Sequence, residues 1–445
     1  MAEKRLTYYF IGIGGIGMSA LAKFLFDQGN TVMGYDKTKS PITEMLVSHG
    51  IEVVFEDSIE VMPEDFLKKS TQVIYTPAIS KSHSQYNYFL KQGNSIKKRS
   101  VLLGELTKDS IVFAVAGTHG KTTTCALLIH LFDYTQLEFT AFLGGVMNKH
   151  EGNLIQKGSD YSIVEADEYD KSFLQLDPSF ACITTMDADH LDIYGTKENL
   201  EETFVAFSKK VKKQLVVAKG IPLDGITYAV DSPADYYAKN IKAKDLGYTF
   251  DLVTPNGVFK KVYLNLIGIH NLSNAVAAAA MADLGGLPLK STLKAFSSFP
   301  GINRRMNVFN FVGKTIIDDY AHHPTEIKTV VDTLKERYPE SKHAVIFQPH
   351  LFSRTQDFME NFATILSEFE EVLLLDVYPA RELPIKGVTS EVLLEKISCQ
   401  NKRIILKNEL VEWVDKIDAN VIAVLGAGDI GNEVKKIKKL VQNEG

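Results

Sequence analysis

The chain has 445 residues, 45% hydrophobic and 23% charged, a balance that lets buried cores offset chain entropy and excludes disorder as the main state. A formal net charge of −6 excludes a broad basic face for nucleic acid, although backbone N–H groups bind phosphate without net positive charge. Cys125, Cys182 and Cys399 form no CxxC pair, which argues against a disulfide framework or structural zinc and favours a reducing cytoplasm.

At roughly 150 residues per domain the length suggests about three domains. No apolar run is long enough to span a bilayer, so membrane insertion is not expected. Lys4 and Arg5 ahead of an apolar stretch imitate a leader peptide, but glycines interrupt that stretch and belong to a turn described next. The sequence assigns no oligomeric state.

The chain alternates strand and helix, which predicts parallel sheets with helices on both faces, an α/β class. "TYYFIGI" reads as a strand, followed by a glycine turn and a helix with Met18, Leu21, Ala22 and Leu25 on one face and Gly29 as its left-handed cap. "TVMGYD" reads as the next strand, and this first domain is expected over residues 1–106. A second strand, turn and helix open at "SIVFAVAGTHGKTTTCALLIHLF" and begin a central domain, 107–302, with further strands "YSIVEAD" and "ACITTMD". The third domain, 303–445, carries a helix with Pro324 in its first turn and Ile327, Val330, Val331 and Leu334 as its buried stripe. Strands "HAVIFQ", "EVLLLDVY" and "VIAVLGAG" follow.

"GIGGIG" places Gly12, Gly14 and Gly17 in GxGxxG register between strand and helix, with Gly15 and Ile16 inside the turn and Asp36 ending the next strand. Such a turn lets the backbone approach a diphosphate at a positive helix end, whether of a nicotinamide cofactor or of a UDP-sugar. "GAGDIG" at Gly426, Gly428 and Gly431 has the same register, but a plain tight turn is the expectation there.

"AGTHGKTTT" is the strongest signal. Gly117 and Gly120 open an anion nest, with Thr118 and His119 between them and Thr123 after them. Lys121 can reach β- and γ-phosphates of ATP, and the Thr122 hydroxyl can hold Mg²⁺. Val115 stands where the usual phosphate loop has its first glycine, so this is a shortened variant. Glu165 and His190 end or follow apolar strands, where parallel sheets bind ligands, and together they suit Mg²⁺ or Mn²⁺. Asp167, Glu168, Asp187 and Asp189 read as exposed residues, caps or supports of that site. In "HNLSN" Asn271 can bond a base or phosphate, or simply cap a helix. Arg304 and Arg305 fall at the last domain junction, where one arginine can clamp a γ-phosphate. Asp318, Asp319, Tyr320, His322 and His323 crowd one strand end, and His350 and Arg354 follow the next strand.

These motifs, with "EADEYDKSFL", "HLDIYG", "DDYAHHPTEI", "QPH…SRT" and "LLDVYPARE", occur in the order of the Mur ligases, which the chain resembles over nearly its whole length. "GIGGIGM" and "DDYAHHPTE" resemble the alanine-adding type in particular. The resemblance implies a Rossmann-like N-terminal domain binding the UDP-sugar, a P-loop ATPase central domain, and a Rossmann-like C-terminal domain receiving the amino acid. It implies ATP-dependent joining of L-alanine to UDP-N-acetylmuramate through an acyl phosphate. By the same resemblance Asn271, Arg305 and Asp319 contact ATP, Tyr320, His322 and Arg354 line the amino-acid site, and Lys121, His190, Arg305 and His322 carry the catalysis.

Two positions depart from the family. Leu351 stands where relatives often carry an arginine, and Phe204 where later-acting members carry a carbamylated lysine. Among rival readings, an NAD-dependent dehydrogenase leaves the phosphate loop unexplained. A P-loop kinase would need no amine, and a nucleotide-dependent switch no substrate. Within the family, a recycling ligase that attaches a preformed peptide to the same sugar nucleotide is the nearest alternative.

Overall fold

The computed structural model describes residues 5–150, 152–187, 191–380 and 382–444. It forms two compact units, one of Met1–Ile241, Thr249–Leu264 and Ser273–Pro300, the other of Lys242–Tyr248, Asn265–Leu272 and Gly301–Gly445.

The first unit begins with a five-stranded parallel sheet in the order Glu52–Val54, Thr31–Tyr35, Thr7–Ile11, Gln72–Tyr75, Ile96–Lys98. This is a doubly wound order with its switch point beside Thr7–Ile11, so a crevice opens beyond Ile11, where the first glycine turn lies. Helix Ile16–Asp27 buries Met18, Leu21, Ala22 and Leu25, and Gly29 follows at φ +84°. The apolar stripe therefore decides the helix's orientation, and the left-handed glycine ends it.

The second sheet has ten strands, in the order Gly257–Leu264, Gly247–Thr254, Tyr236–Lys244, Ile226–Val230, Gln214–Ala218, Phe180–Ile183, Ile111–Ala116, Tyr161–Glu165, Phe139–Phe142, Leu154–Gln156. Ile111–Ala116 runs parallel between Phe180–Ile183 and Tyr161–Glu165. Their carboxyl ends at Ala116, Ile183 and Glu165 therefore lie side by side. The apolar helix Lys121–Thr135 packs behind them, with Cys125 to Ile129 fully buried. Strict alternation of strand and helix fails at one edge, where Tyr236–Lys244, Gly247–Thr254 and Gly257–Leu264 are joined by two-residue turns. Gly247–Thr254 alternates buried and half-exposed residues, the pattern of a strand with one wet face.

In the second unit six strands lie in the order Asn307–Phe311, Lys314–Asp319, Val421–Leu425, His343–Phe347, Glu371–Leu374, Asn401–Ile404. Only the first pair is antiparallel. Helix Pro324–Arg337 starts at the proline and buries Ile327, Val330, Val331 and Leu334 on one face of this sheet. Leu410–Lys416 and Ile430–Glu444 cover the other face. Among the described residues no helix is long and apolar enough to cross a membrane.

Candidate active site

The Gly117–Lys121 loop links strand Ile111–Ala116 to helix Lys121–Thr135. Gly117 sits at φ +128°, and a Cβ there would lie 2.2 Å from the Thr184 hydroxyl. Gly120 sits at φ +81°, and its Cβ would lie 2.6 Å from Asn274 Oδ1. Both glycines are thus fixed by backbone conformation and by close approach. The loop is tied to the neighbouring strand end: Thr185 Oγ1 accepts from His119 N at 2.8 Å and meets Thr118 Oγ1 at 2.7 Å. Thr184 Oγ1 donates to the carbonyls of Ala116 and His119.

Lys121 Nζ folds back over this loop, donating to Gly117 O, to Thr118 O and, at 2.8 Å, to Glu168 Oε1. Glu168 is 1% exposed. Burial alone would push the lysine down, but the carboxylates of Glu168, Glu165 and Asp167 hold its pKa above the ordinary value. Thr122 Oγ1 donates to Glu165 Oε1 at 2.8 Å, and Gly144 N donates to Glu165 Oε2 at 2.8 Å. A hydroxyl and a carboxylate this close, beside a phosphate loop, form the hard oxygen donor set that Mg²⁺ takes together with nucleotide phosphates. Thr122 and Glu165 therefore fit the ion; His190 and Asp189 lie outside the described residues.

The acidic segment after Glu165 is used almost residue by residue. Asp167 Oδ2 accepts from Arg99 Nη2 at 3.0 Å, and Asp170 Oδ2 accepts from Lys98 Nζ at 2.7 Å. The turn is completed by left-handed Asp170 and Lys171, and Tyr194 Oη donates to Glu168 O at 2.6 Å. Glu168 is therefore buried rather than exposed, whereas the Asp187 side chain is half-exposed, 3.7 Å from His119.

At the first glycine turn, Gly12 N and Ile13 N donate to Tyr35 O. Asp36 Oδ2 accepts from Gly14 N at 2.8 Å, so this carboxylate shapes the turn itself. Gly15 N-caps helix Ile16–Asp27 with no side-chain acceptor. Gly17 lies under the guanidinium of Arg99, 2.7 Å from where its Cβ would be.

The second unit gathers its own cluster. Arg304 Nε donates to Asp318 Oδ1 at 3.1 Å and Nη2 to Gly426 O at 2.6 Å. Asp318, 1% exposed, is also bound by Lys438 at 2.9 Å. The neighbouring Arg305 keeps a more open guanidinium, 4.0 Å from Glu326 and 5.2 Å from the Tyr320 ring centre. Asp319 is buried and accepts from Met306 N and Ala321 N, both at 2.7 Å; burial pushes its pKa up to about 6. His270 stands near Arg305 and Glu326, and burial together with Arg305 pushes it down to about 4. Asn271 Nδ2 donates to Ile267 O at 2.7 Å, within its own helix start.

His322 bonds Tyr320 O through Nδ1 at 2.9 Å, lies 3.2 Å from Glu326, and stacks edge-on against Tyr320 and His350. His350 in turn lies parallel to Tyr378, 5.7 Å between ring centres. His323 caps helix Pro324–Arg337 instead, accepting from Thr325 N. Leu351 adopts φ +70°, a strained backbone for a branched residue, with its N–H on Tyr378 O; Arg354 follows in helix Phe352–Asp357.

Among the residues of these clusters that escaped the sequence reading as site residues are Thr184, Thr185, Asn274, Tyr378, Gly144 and Arg99. The threonine pair had one usable signal, since it directly follows a strand next to the loop.

Comparison with known proteins covers nearly the whole chain. Residues 7–110 match the model "Mur ligase family, catalytic domain", 115–282 "Mur ligase middle domain", and 304–430 "Mur ligase, glutamate ligase domain". The chain is 50% identical over 434 residues to the UDP-N-acetylmuramate–L-alanine ligase of Flavobacterium psychrophilum, and 48% identical over 436 residues to that of Flavobacterium johnsoniae, covering 97% of each chain. A UDP-N-acetylmuramate–alanine ligase structure from Thermotoga maritima superposes with a TM-score of 0.84 at 28% identity, over 99% of this chain and 100% of that one. A murein peptide ligase from Psychrobacter arcticus shares the fold, with a TM-score of 0.72 at 22% identity over 98% of both chains.

Proposed function

Because the chain belongs to the Mur ligase family, we propose that it is an ATP-dependent ligase joining L-alanine to the lactyl carboxylate of UDP-N-acetylmuramate, a step of peptidoglycan precursor synthesis. The observation that carries this reading is the Thr122–Glu165 pair beneath the Lys121 loop, in a chain about half identical to alanine ligases over 97% of its length.

A free carboxylate is a poor acyl donor because its leaving group would be oxide. Transfer of the γ-phosphoryl group of ATP to the lactyl carboxylate supplies a good one, and the amine of alanine then displaces phosphate to form the amide. The first step needs charge neutralisation and in-line positioning. Lys121 supplies a fixed cation, and the N–H groups of Gly120 to Thr123, at the start of helix Lys121–Thr135, cradle the phosphates, while the N–H groups of Thr118 and His119 tie the loop to Thr185. Thr122, Glu165 and His190 would hold Mg²⁺, which would supply neutralisation of phosphate charge. Asn271, Arg305 and Asp319 contact ATP, with Arg305 as the open guanidinium of its pair. Gly14, Gly15, Ile16, Gly17 and Asp36 form the UDP-sugar turn. Tyr320 and His322 line the amino-acid site, and Arg354 holds the alanine carboxylate.

Phosphate release with ATP, UDP-N-acetylmuramate and one amine at a time tests this. Release with L-alanine is expected. Release only with a preformed peptide would instead identify a recycling ligase, and phosphoryl transfer complete without any amine would identify a kinase.

A further inference from the structure

Two turns in this chain share a feature that the GxGxxG pattern does not require. A Cβ on Gly17 would lie 2.7 Å from Arg99 Nη1, and a Cβ on Gly431 would lie 2.7 Å from Arg304 Nη1. In both, the third glycine makes room for a guanidinium laid on the first turn of a helix. The two guanidinia differ in how they are held. Arg304 is locked by the buried carboxylate of Asp318 and by the carbonyls of Asp319, Gly426 and Gly428. That turn is closed by the protein itself. The guanidinium of Arg99 makes one hydrogen bond among the described residues, to Asp167, whose side chain is 39% exposed.

Around Arg99 the carboxylates are already engaged: Asp167 with Arg99, Asp170 with Lys98, and Asp36 with the Gly14 N–H. Helix Ile16–Asp27 has no acidic residue in its first turn and no side-chain cap. Arg99 itself opens helix Arg99–Thr107, with Lys98 as N-cap and again no acid in the first turn. Cations at helix N-termini sit at the unfavourable end of the dipole. Two such ends, Lys98 and Arg99 meet there, answered by Asp167 and Asp170.

We propose that Arg99 is a ligand residue of the sugar-nucleotide site: it exchanges Asp167 for the diphosphate of the UDP-sugar and clamps that group onto the Gly14–Gly17 turn. The inference rests on the reading of this turn as the UDP-sugar site. A diphosphate offers a guanidinium more charge than a carboxylate and a two-point contact, whereas Asp167 holds Arg99 by a single hydrogen bond. Asp167 is then the resting counter-ion, and it competes with the ligand.

Calorimetric titration of the full chain with UDP, and separately with ATP, decides the matter. Arg99→Ala should weaken UDP binding at least about tenfold and leave ATP binding unchanged, with Arg99→Lys recovering part of the loss. Asp167→Asn should tighten UDP binding severalfold, because the cation no longer has a partner to leave. A merely structural bridge predicts that both variants move UDP affinity the same way or not at all, and either result overturns the proposal while UDP still binds the wild type. Failure of wild type to bind UDP or UDP-N-acetylmuramate would sink the underlying reading of the turn and this inference with it.

Discussion

The ammonium of Lys121 and the carboxylate of Glu168 form a 2.8 Å ion pair largely removed from solvent. The phosphate-loop lysine therefore has an internal counter-ion that stabilises its charge.

Lys121→Met should abolish ligation, because losing a transition-state cation costs several kcal/mol, on the order of 10³-fold in rate or more. It should also destabilise the fold, by about 3 kcal/mol, since it strands a buried carboxylate. The double variant Lys121→Met with Glu168→Gln should recover the thermal midpoint without recovering turnover. A midpoint that stays low in the double variant would mean that the pair is not the cause.

Glu165 joins the Thr122 hydroxyl to the Gly144 N–H. If it also ligates the ion, Glu165→Gln should raise the Mg²⁺ concentration needed for half-maximal rate at least about tenfold, the scale seen even for groups that merely support a ligand. Metal titrations that overlay the wild type would exclude it.

Arg354→Ala should raise the KM for L-alanine at least about tenfold, the range for a lost charge-assisted contact, while the KM values for ATP and the UDP-sugar change little. Arg354→Lys should recover only part, since an ammonium lacks the planar fork. An unchanged alanine KM would leave Arg354 a surface residue, where its ion pairs are worth little.

His270 supplies a pH dependence whose sign follows from its environment. Its pKa falls from 6.5 unfolded to about 4 folded, because burial and Arg305 oppose its charge. Its contribution to stability is full above about pH 6.5 and is lost as the pH falls towards 4, where the unfolded chain binds the extra proton. The stability difference between wild type and His270→Gln should therefore rise with pH across that window and flatten above it. Asp319, pushed up to about 6, slopes the opposite way in the wild type, so the difference between the two proteins is the quantity to measure. A difference that is flat from pH 4 to 6.5 would show that His270 titrates normally.

The parts of the site that are contiguous in the chain were legible in it. Gly117, Lys121 and Thr122 announce themselves through the glycine turn between strand and helix, and Glu165 through its place at the end of an apolar run. The partners that depend on sheet order were not. Thr184 and Thr185 touch the loop only because Phe180–Ile183 lies beside Ile111–Ala116, and Asn274 reaches Gly120 and Thr124 across about 150 positions of sequence. Glu168 is three residues from Glu165, yet its burial depends on two left-handed residues that no periodicity reveals. The edge hairpins were missed for a related reason, since an expectation of crossover helices has no place for two-residue turns.

Phe204 is fully buried, edge-on to Phe173, in the stack that Phe173 makes with Phe207. By resemblance, later-acting Mur ligases carry there a lysine that reacts with dissolved carbon dioxide. A phenyl ring has no nitrogen to capture the gas and none to release it on degassing. This position thus frees the chain from one link to the bicarbonate around it, and turnover in carbonate-free buffer should match turnover in buffer equilibrated with air.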